Sequence, residues 1–216
     1  MSLARPFPCT MTAMVVCAAL HPAAARSEIE LSVYGGPQWA QPGTIRSATL
    51  GDDLVRWDSQ PFEIPPYYGL RAAWWPDRER GFGFTFTHAK AFADDPEKYG
   101  YQELNFSHGL NFLTADLWHR FQTRGRMTPY VGAGVGIVIP HVEVQPVGQA
   151  ATAAYQIGGP AVSLMVGASM PLGKSWSVFT EYKATYSRLD AELETGDRLK
   201  TDFLTHAVNI GLSWRF

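Results

Sequence analysis

The stretch YVGAGVGIVIPHVE, residues 130–143, reads as two halves. The front half has the glycine density of a nucleotide-binding loop. The back half alternates, and His141 and Glu143 continue the parity set by Val135, Ile137 and Ile139. A phosphate loop sits between a strand and a helix and is followed by a ribose-binding acid at dinucleotide-fold spacing; neither is present. Gly132, Gly134 and Gly136 share one parity, opposite Val131, Ala133, Val135 and Ile137, as small residues facing a crowded interior would. The stretch is a β-strand. It leaves open why an apolar face ends in a histidine and a carboxylate.

The same alternation recurs seven more times. Segments of about 9–11 residues, the length a tilted membrane strand needs, begin near positions 28, 66, 81, 102, 157, 176 and 202. The last is the clearest: Leu204, Val208, Ile210, Leu212, Trp214 and Phe216 share one parity, and Asn209, Gly211, Ser213 and Arg215 the other. Short turns (PDRER, TRGR, LGKS) alternate with longer polar loops near 41–65, 93–101, 144–156 and 190–201. Short periplasmic turns and long extracellular loops are the asymmetry of outer-membrane barrels.

Composition agrees. Arg5, the apolar run MTAMVVCAAL and Ala23–Ala25 have the layout of a cleaved secretory signal peptide over residues 1–25. Residues 26–216 then form one barrel domain. Both cysteines, Cys9 and Cys17, fall in the leader, so neither a disulfide framework nor cysteine chemistry is expected. Without Arg5 the chain has 17 basic against 20 acidic side chains, which gives no reason to expect a nucleic-acid partner. No later stretch is long enough for a spanning helix, yet 13% of residues are aromatic. The expected fold is all-β, an eight-stranded antiparallel up-and-down transmembrane β-barrel in the bacterial outer membrane, monomeric. A barrel of that size is filled by its own side chains rather than open as a pore. Arg71, Glu181, Lys183, Asn209 and Arg215 lie on the lumen parity, with Glu181 and Lys183 expected as a buried pair.

On the outer parity, at strand ends expected to be extracellular, fall His88 and Lys90, His108, and His141 and Glu143. Leu104, Phe106, Leu110 and Phe112 read as lipid-facing beside His108, with Glu103 and Asn105 facing the lumen behind it. A parity slip farther along points to a bulge. Neighbouring strands stand about 4.8 Å apart, so these groups can converge. Ionisable groups at membrane level invite a functional reading, although polar residues are also ordinary at an interface. Such groups suit acid–base work or a divalent metal. His88, His141 and Glu143 are the candidate metal ligands, and His88, Lys90, His141, Glu143, His108 and Glu103 the candidate catalytic set. Lys90, Lys98, Arg188, Arg198 and Lys200 are candidates to contact phosphates or acidic sugars. The run Asp94, Asp95 and Glu97 reads as a solvated loop.

The segments GFGFTFTHAKAFADD, GLNFL, PYVGAGVGIVIPHVEV, YQIGGPA, EYKATYS and LKTDFLTHAVNIGLSWRF together resemble the lipid A oxidases of bacterial outer membranes. The resemblance covers nearly the whole chain after the leader, and THAK and PHVE are its specific pieces. It implies an eight-stranded barrel and an oxygen-dependent conversion of the proximal glucosamine of 1-dephosphorylated lipid A to an aminogluconate unit. It carries His88, Lys90, His141 and Glu143 over as site positions; His108 and His206 rest on parity alone. Lipopolysaccharide would be the partner. The electrons must reach oxygen directly or through a metal such as iron, manganese or copper. A lipid A hydrolase is a second reading; it needs a serine beside a histidine, and Ser107 and His108 would point to opposite faces of a regular strand. A barrel serving wall integrity or adhesion is a third.

Overall fold

The computed structural model describes residues 27–216; the expected leader and its two cysteines lie outside the described residues. The first strand, β1 (Glu28–Gly35), is followed by four short strands of one long connection: β2 (Gln38–Ala40), β3 (Gly43–Ser47), β4 (Gly51–Val55) and β5 (Trp57–Asp58). β6 (Tyr68–Trp75) and β7 (Arg80–Ala89) form a hairpin. A second long connection carries β8 (Phe92–Ala93), the 3-10 turn Pro96–Tyr99 and β9 (Tyr101–Asn105), and leads into β10 (Leu110–Arg120). Then come β11 (Thr128–Pro146), the short β12 (Thr152–Tyr155), β13 (Gly159–Pro171), β14 (Trp176–Glu192) and β15 (Arg198–Arg215).

Eight of these strands close a ring in the order β1, β6, β7, β10, β11, β13, β14, β15, and back to β1, antiparallel throughout. Seven of the eight segments expected from the sequence are strands of this ring, and the one expected from about 102 covers β9 as well as the ring strand β10. The start of the described residues, the C-terminus and the β6–β7, β10–β11 and β13–β14 connections lie at one end, the turn end. Three long connections lie at the other, the loop end, together with the short turn 193–197, where the expected long loop near 190–201 is instead the tip of the β14–β15 hairpin. No described helix is long and apolar enough to cross a membrane, which says nothing of strands.

The wall follows the alternation. On β15, Ala207, Asn209, Gly211 and Ser213 point inward while Val208, Ile210, Leu212 and Trp214 are exposed. Equivalent exposed rows, such as Phe82 and Phe84 on β7 or Val162, Leu164 and Val166 on β13, run around the ring. Soluble monomers rarely expose apolar patches beyond roughly a few hundred Å², so this belt belongs in hydrocarbon, as in transmembrane barrels.

Inside the belt the lumen is polar and filled. Arg71 donates from Nη2 to both oxygens of Glu181, at 2.9 and 2.8 Å. Asn209 (3.2 Å) and the Tyr130 hydroxyl (2.9 Å) also donate to that carboxylate. The guanidinium carbon lies 5.0 Å from the Trp118 ring centroid. Glu181 and Lys183 do not pair with each other. One partner of each comes from another strand: Arg71 for Glu181, and the Thr87 hydroxyl, 2.9 Å away, for Lys183. Arg215 is only partly covered and sits near Glu28 at the turn end. The glycines of the opening stretch are required by crowding: a Cβ on Gly132 would fall 2.4 Å from the Trp118 ring, and one on Gly134 1.8 Å from Asp116 Oδ1.

The long connections are not loose polar loops. β3 and β4 form a hairpin that joins the far end of β15, and β9 and β12 pair with the far half of β11. Together they enclose a second, apolar interior above the lumen. Phe203 lies at its centre, 4.9 Å from Trp57 and 5.4 Å from Phe106 between ring centroids, with Ile45, Leu104, Leu110, Val142 and Leu199 fully buried around it. Leu104, Phe106, Leu110 and Phe112 therefore face inward, not toward lipid. The expected fourth strand is broken. β9 and β10 both pair with β11, and the residues between them form a turn closed by Gly109 at φ 126°. That turn is larger than the expected bulge, and it inverts the faces read for residues 103–112.

Candidate functional site

β11 passes from one interior to the other, and its two faces exchange character as it does so. Below Ile139 its outward residues are Val131, Ala133 and Val135, with glycines inward. From Val138 onward the inward residues are Val138, Val142 and Val144, all fully buried, and beyond Ile139 the outward ones are His141 and Glu143. The apolar face ends in a histidine and a carboxylate because the strand leaves the apolar belt there.

The turn 106–109 packs against this point: the His141 amide donates to the Gly109 carbonyl at 2.8 Å. It places Ser107 and His108 over Glu143. His108 Nδ1 and Ser107 Oγ both contact the Glu143 carboxylate closely, one on each oxygen. His141 Nδ1 lies 3.0 Å from the oxygen that His108 uses. It is buried and has no aligned hydrogen bond. Candidate ligand atoms of His108, His141 and Glu143 all lie within 4.8 Å of one another. The two imidazoles meet edge to face at 5.1 Å, and Tyr155 on β12 packs at 4.6 Å against His141 while its hydroxyl donates to the His108 carbonyl. The His108 side chain is 62% exposed and that of Glu143 only 12%, so the cluster opens outward on the His108 side.

Two histidines and one carboxylate with an open side suit a first-row divalent metal. His141 Nδ1, buried and without an aligned hydrogen bond, is a donor atom such a metal could satisfy. The residues fit the group.

His88 is not in this set. It is buried beneath Tyr68, with ring centroids 5.3 Å apart, and its Nδ1 is bonded to Asn111 Oδ1 at 2.8 Å. Asn111 in turn donates to the Ile139 carbonyl at 3.2 Å, which ties His88 to β11 two residues before His141. Lys90 is covered by the first long connection and donates to the Glu63 carbonyl at 3.0 Å. Glu103 faces out, not into the lumen. It accepts from Asn105 Nδ2 at 2.9 Å, and Asn105 in turn accepts the Ser107 amide at 3.1 Å, so Glu103 props the turn rather than joining the cluster. His206 lies on β15, stacked on Trp39 and bonded to Tyr182. Arg188, Arg198 and Lys200 project from the β14–β15 hairpin beside Asp190 and Asp202. The sequence reading missed Ser107, Tyr155 and Asn111 as neighbours, because they depend on the turn, on the β11–β12 register and on the β7–β10 register respectively.

No protein-family model matches the sequence, and no curated protein matches it. Three similar solved structures are the outer membrane protein AlkL in DMPC bilayers (14% identity, TM-score 0.54, 99% of this chain and 97% of that one), Neisserial surface protein A (13%, 0.51, 88% and 97%) and OprG from Pseudomonas aeruginosa (10%, 0.50, 89% and 96%). What they share with this chain is the fold. It is an antiparallel eight-stranded β-barrel of the outer-membrane type. At these identities the likeness brings no activity, and the link to lipid A oxidases rests on the sequence motifs alone.

Proposed function

We propose that this protein is an outer-membrane enzyme that oxidises lipid A from the outer wall of its barrel, with His108, His141 and Glu143 as the reacting cluster. The observation that carries the reading is the height and make-up of that cluster. It opens outward where the wall changes from apolar to polar, which in an outer membrane is the depth of lipid A sugars. The motifs THAK and PHVE supply the reaction, since the cluster by itself specifies no substrate.

Oxidation of the proximal sugar balances as follows. The hemiacetal loses its hydroxyl proton and a hydride equivalent from its anomeric carbon, giving a lactone. One O2 takes up the two electrons and two protons as hydrogen peroxide, and water opens the lactone to the acid. Glu143, the carboxylate of the cluster beside its open side, is the candidate proton acceptor. The exposed His108 ring faces the substrate side, and His141 and Tyr155 hold it in place. A divalent metal held by His108, His141 and Glu143 would supply a path for electrons to oxygen.

Two other readings have their own observations. The 106–109 turn sets Ser107 Oγ 2.9 Å from His108 Nδ1, which removes the objection to a hydrolase based on strand geometry. However, serine and carboxylate meet the same imidazole nitrogen, whereas a relay needs one on each. A non-catalytic barrel also accommodates polar residues at a strand's exit from the membrane, and the fold neighbours back it better than they back an oxidase.

The test is oxygen uptake by the purified chain in vesicles containing 1-dephosphorylated lipid A. One O2 consumed and one hydrogen peroxide formed per sugar oxidised supports the reading. Release of fatty acid without oxygen uptake would favour the hydrolase, and no change in lipid or oxygen the non-catalytic barrel.

A further inference from the structure

The wall below the cluster carries an open apolar trough of about 620 Å³ across β6, β7, β10 and β11. Its floor is set by small residues. Ala72 and Ala115 flank Phe84 in register, on β6 and β10 respectively. Trp74, Phe82, Leu117 and Val135 form its sides. From the cluster, the outward rows of β10 and β11 descend through Asn111 and Ile139, then Leu113 and Ile137, to Ala115 and Val135. Val135 is four residues from Ile139, where β11 leaves the belt, and the Leu117–Ala133 level six. At about 3.3 Å per residue and a tilt of roughly 40°, the trough lies some 10–15 Å below the top of the belt. That is about half of the roughly 25 Å apolar band, the depth at which outer-leaflet acyl chains end.

We infer that this trough is an acyl-chain subsite, seating the far end of one chain of the same lipid A molecule whose sugar reaches His108, His141 and Glu143. The inference rests on the reading above for its headgroup end. Continuity supports it: Ile139 and Ile137 on β11, with Leu113 beside them on β10, form an apolar path from below the cluster to the trough. A chain moving from lipid into the trough gains packing rather than hydrophobic free energy, since hydrocarbon surrounds it in both places. The trough therefore acts by alignment. With the tail seated, the anomeric carbon is held against the cluster, and small errors in that position are costly in rate.

The experiment uses the full chain in phosphatidylethanolamine vesicles doped with lipid A carrying a photoreactive diazirine near one chain end. A second set carries the same group on a phospholipid. Expected are lipid A cross-links concentrated at Phe84, Ala115 and Leu117 over Leu164 and Ile210 on the opposite wall, with no such bias for the phospholipid. Ala115→Trp and, independently, Ala72→Trp should remove the bias and slow sugar oxidation on the order of tenfold. Even labelling of both walls, or an equal bias for the phospholipid, would overturn the subsite while leaving the oxidation reading intact. Biased cross-links in a chain that oxidises nothing would keep the subsite and remove the oxidation reading.

Discussion

The barrel has two interiors of opposite character. Within the apolar belt the inside is polar and the outside greasy; above it the inside is apolar and the outside polar. The lumen is organised around Glu181, which accepts from Arg71, Tyr130 and Asn209. The cap is organised around Phe203 and its aromatic neighbours. Each strand that crosses the boundary must exchange its faces, and β11 does so at Ile139–His141. Glu181, buried in the lumen, has a cationic partner in Arg71 and is explained as structure. The rim carboxylate, Glu143, is crowded by a serine and two histidines beside an open face, and it points away from both interiors.

The largest effect separates lumen from cap. Glu181→Ala would leave the Arg71 guanidinium buried without its counter-charge, costing about 3–5 kcal/mol. The unfolding midpoint of the whole barrel in urea should fall. Replacing both residues by apolar ones of similar volume should recover most of that loss.

Phe203→Ala removes the centre of the cap, a change worth about 3–5 kcal/mol for a buried phenylalanine. Here the loss should be local. Protease should cut the connections around β3, β4, β9 and β12 sooner, while the barrel keeps its unfolding midpoint. Equal damage to cap and barrel would show that the two interiors fold as one.

A smaller effect is pH-dependent. Asp197, in the β14–β15 turn, accepts the Ser47 hydroxyl at 2.6 Å, and this bond, aided by the amides of Arg198 and Thr49, holds its pKa below the usual carboxylate value. A lowered folded pKa stabilises above the unfolded value of about 3.9, and the contribution is lost as pH falls below it. Cleavage of the cap by an acid-tolerant protease should rise below about pH 4, and Asp197→Asn should flatten that dependence. Smallest of all is Arg198→Ala. Its pair with Asp190 is exposed and contributes little, so neither interior should respond measurably.

The barrel was legible because period-two alternation is a local signal, repeated eight times with turn signals between. The opening stretch even marked where β11 leaves the belt. The cap was not legible. Its short strands pair with residues distant in sequence, as β3 does with Leu199–Thr201 of β15, and its apolar core is contributed piecemeal by four connections that look polar overall. The site was half legible. His141 and Glu143 are two apart on one strand and had to share a face. His108 joined them through a turn at Gly109 that alternation does not encode, and the same turn reversed the faces assigned to Leu104, Phe106, Glu103 and Asn105. Glu181 and Lys183 show the same limit: parity put both inside, but the partners came from Arg71 and Thr87 on other strands.

The most direct test of the rim cluster as the working site is mass spectrometry of lipid A from cells lacking its 1-phosphate. They would express the intact chain, Glu143→Gln, His141→Ala or Phe203→Ala, with matched membrane insertion. The account predicts one added oxygen on the proximal sugar with the intact chain, none with Glu143→Gln or His141→Ala, and partial conversion with Phe203→Ala. Full conversion by the Glu143→Gln and His141→Ala chains would contradict it, and so would unmodified lipid from an intact, folded barrel supplied with oxygen.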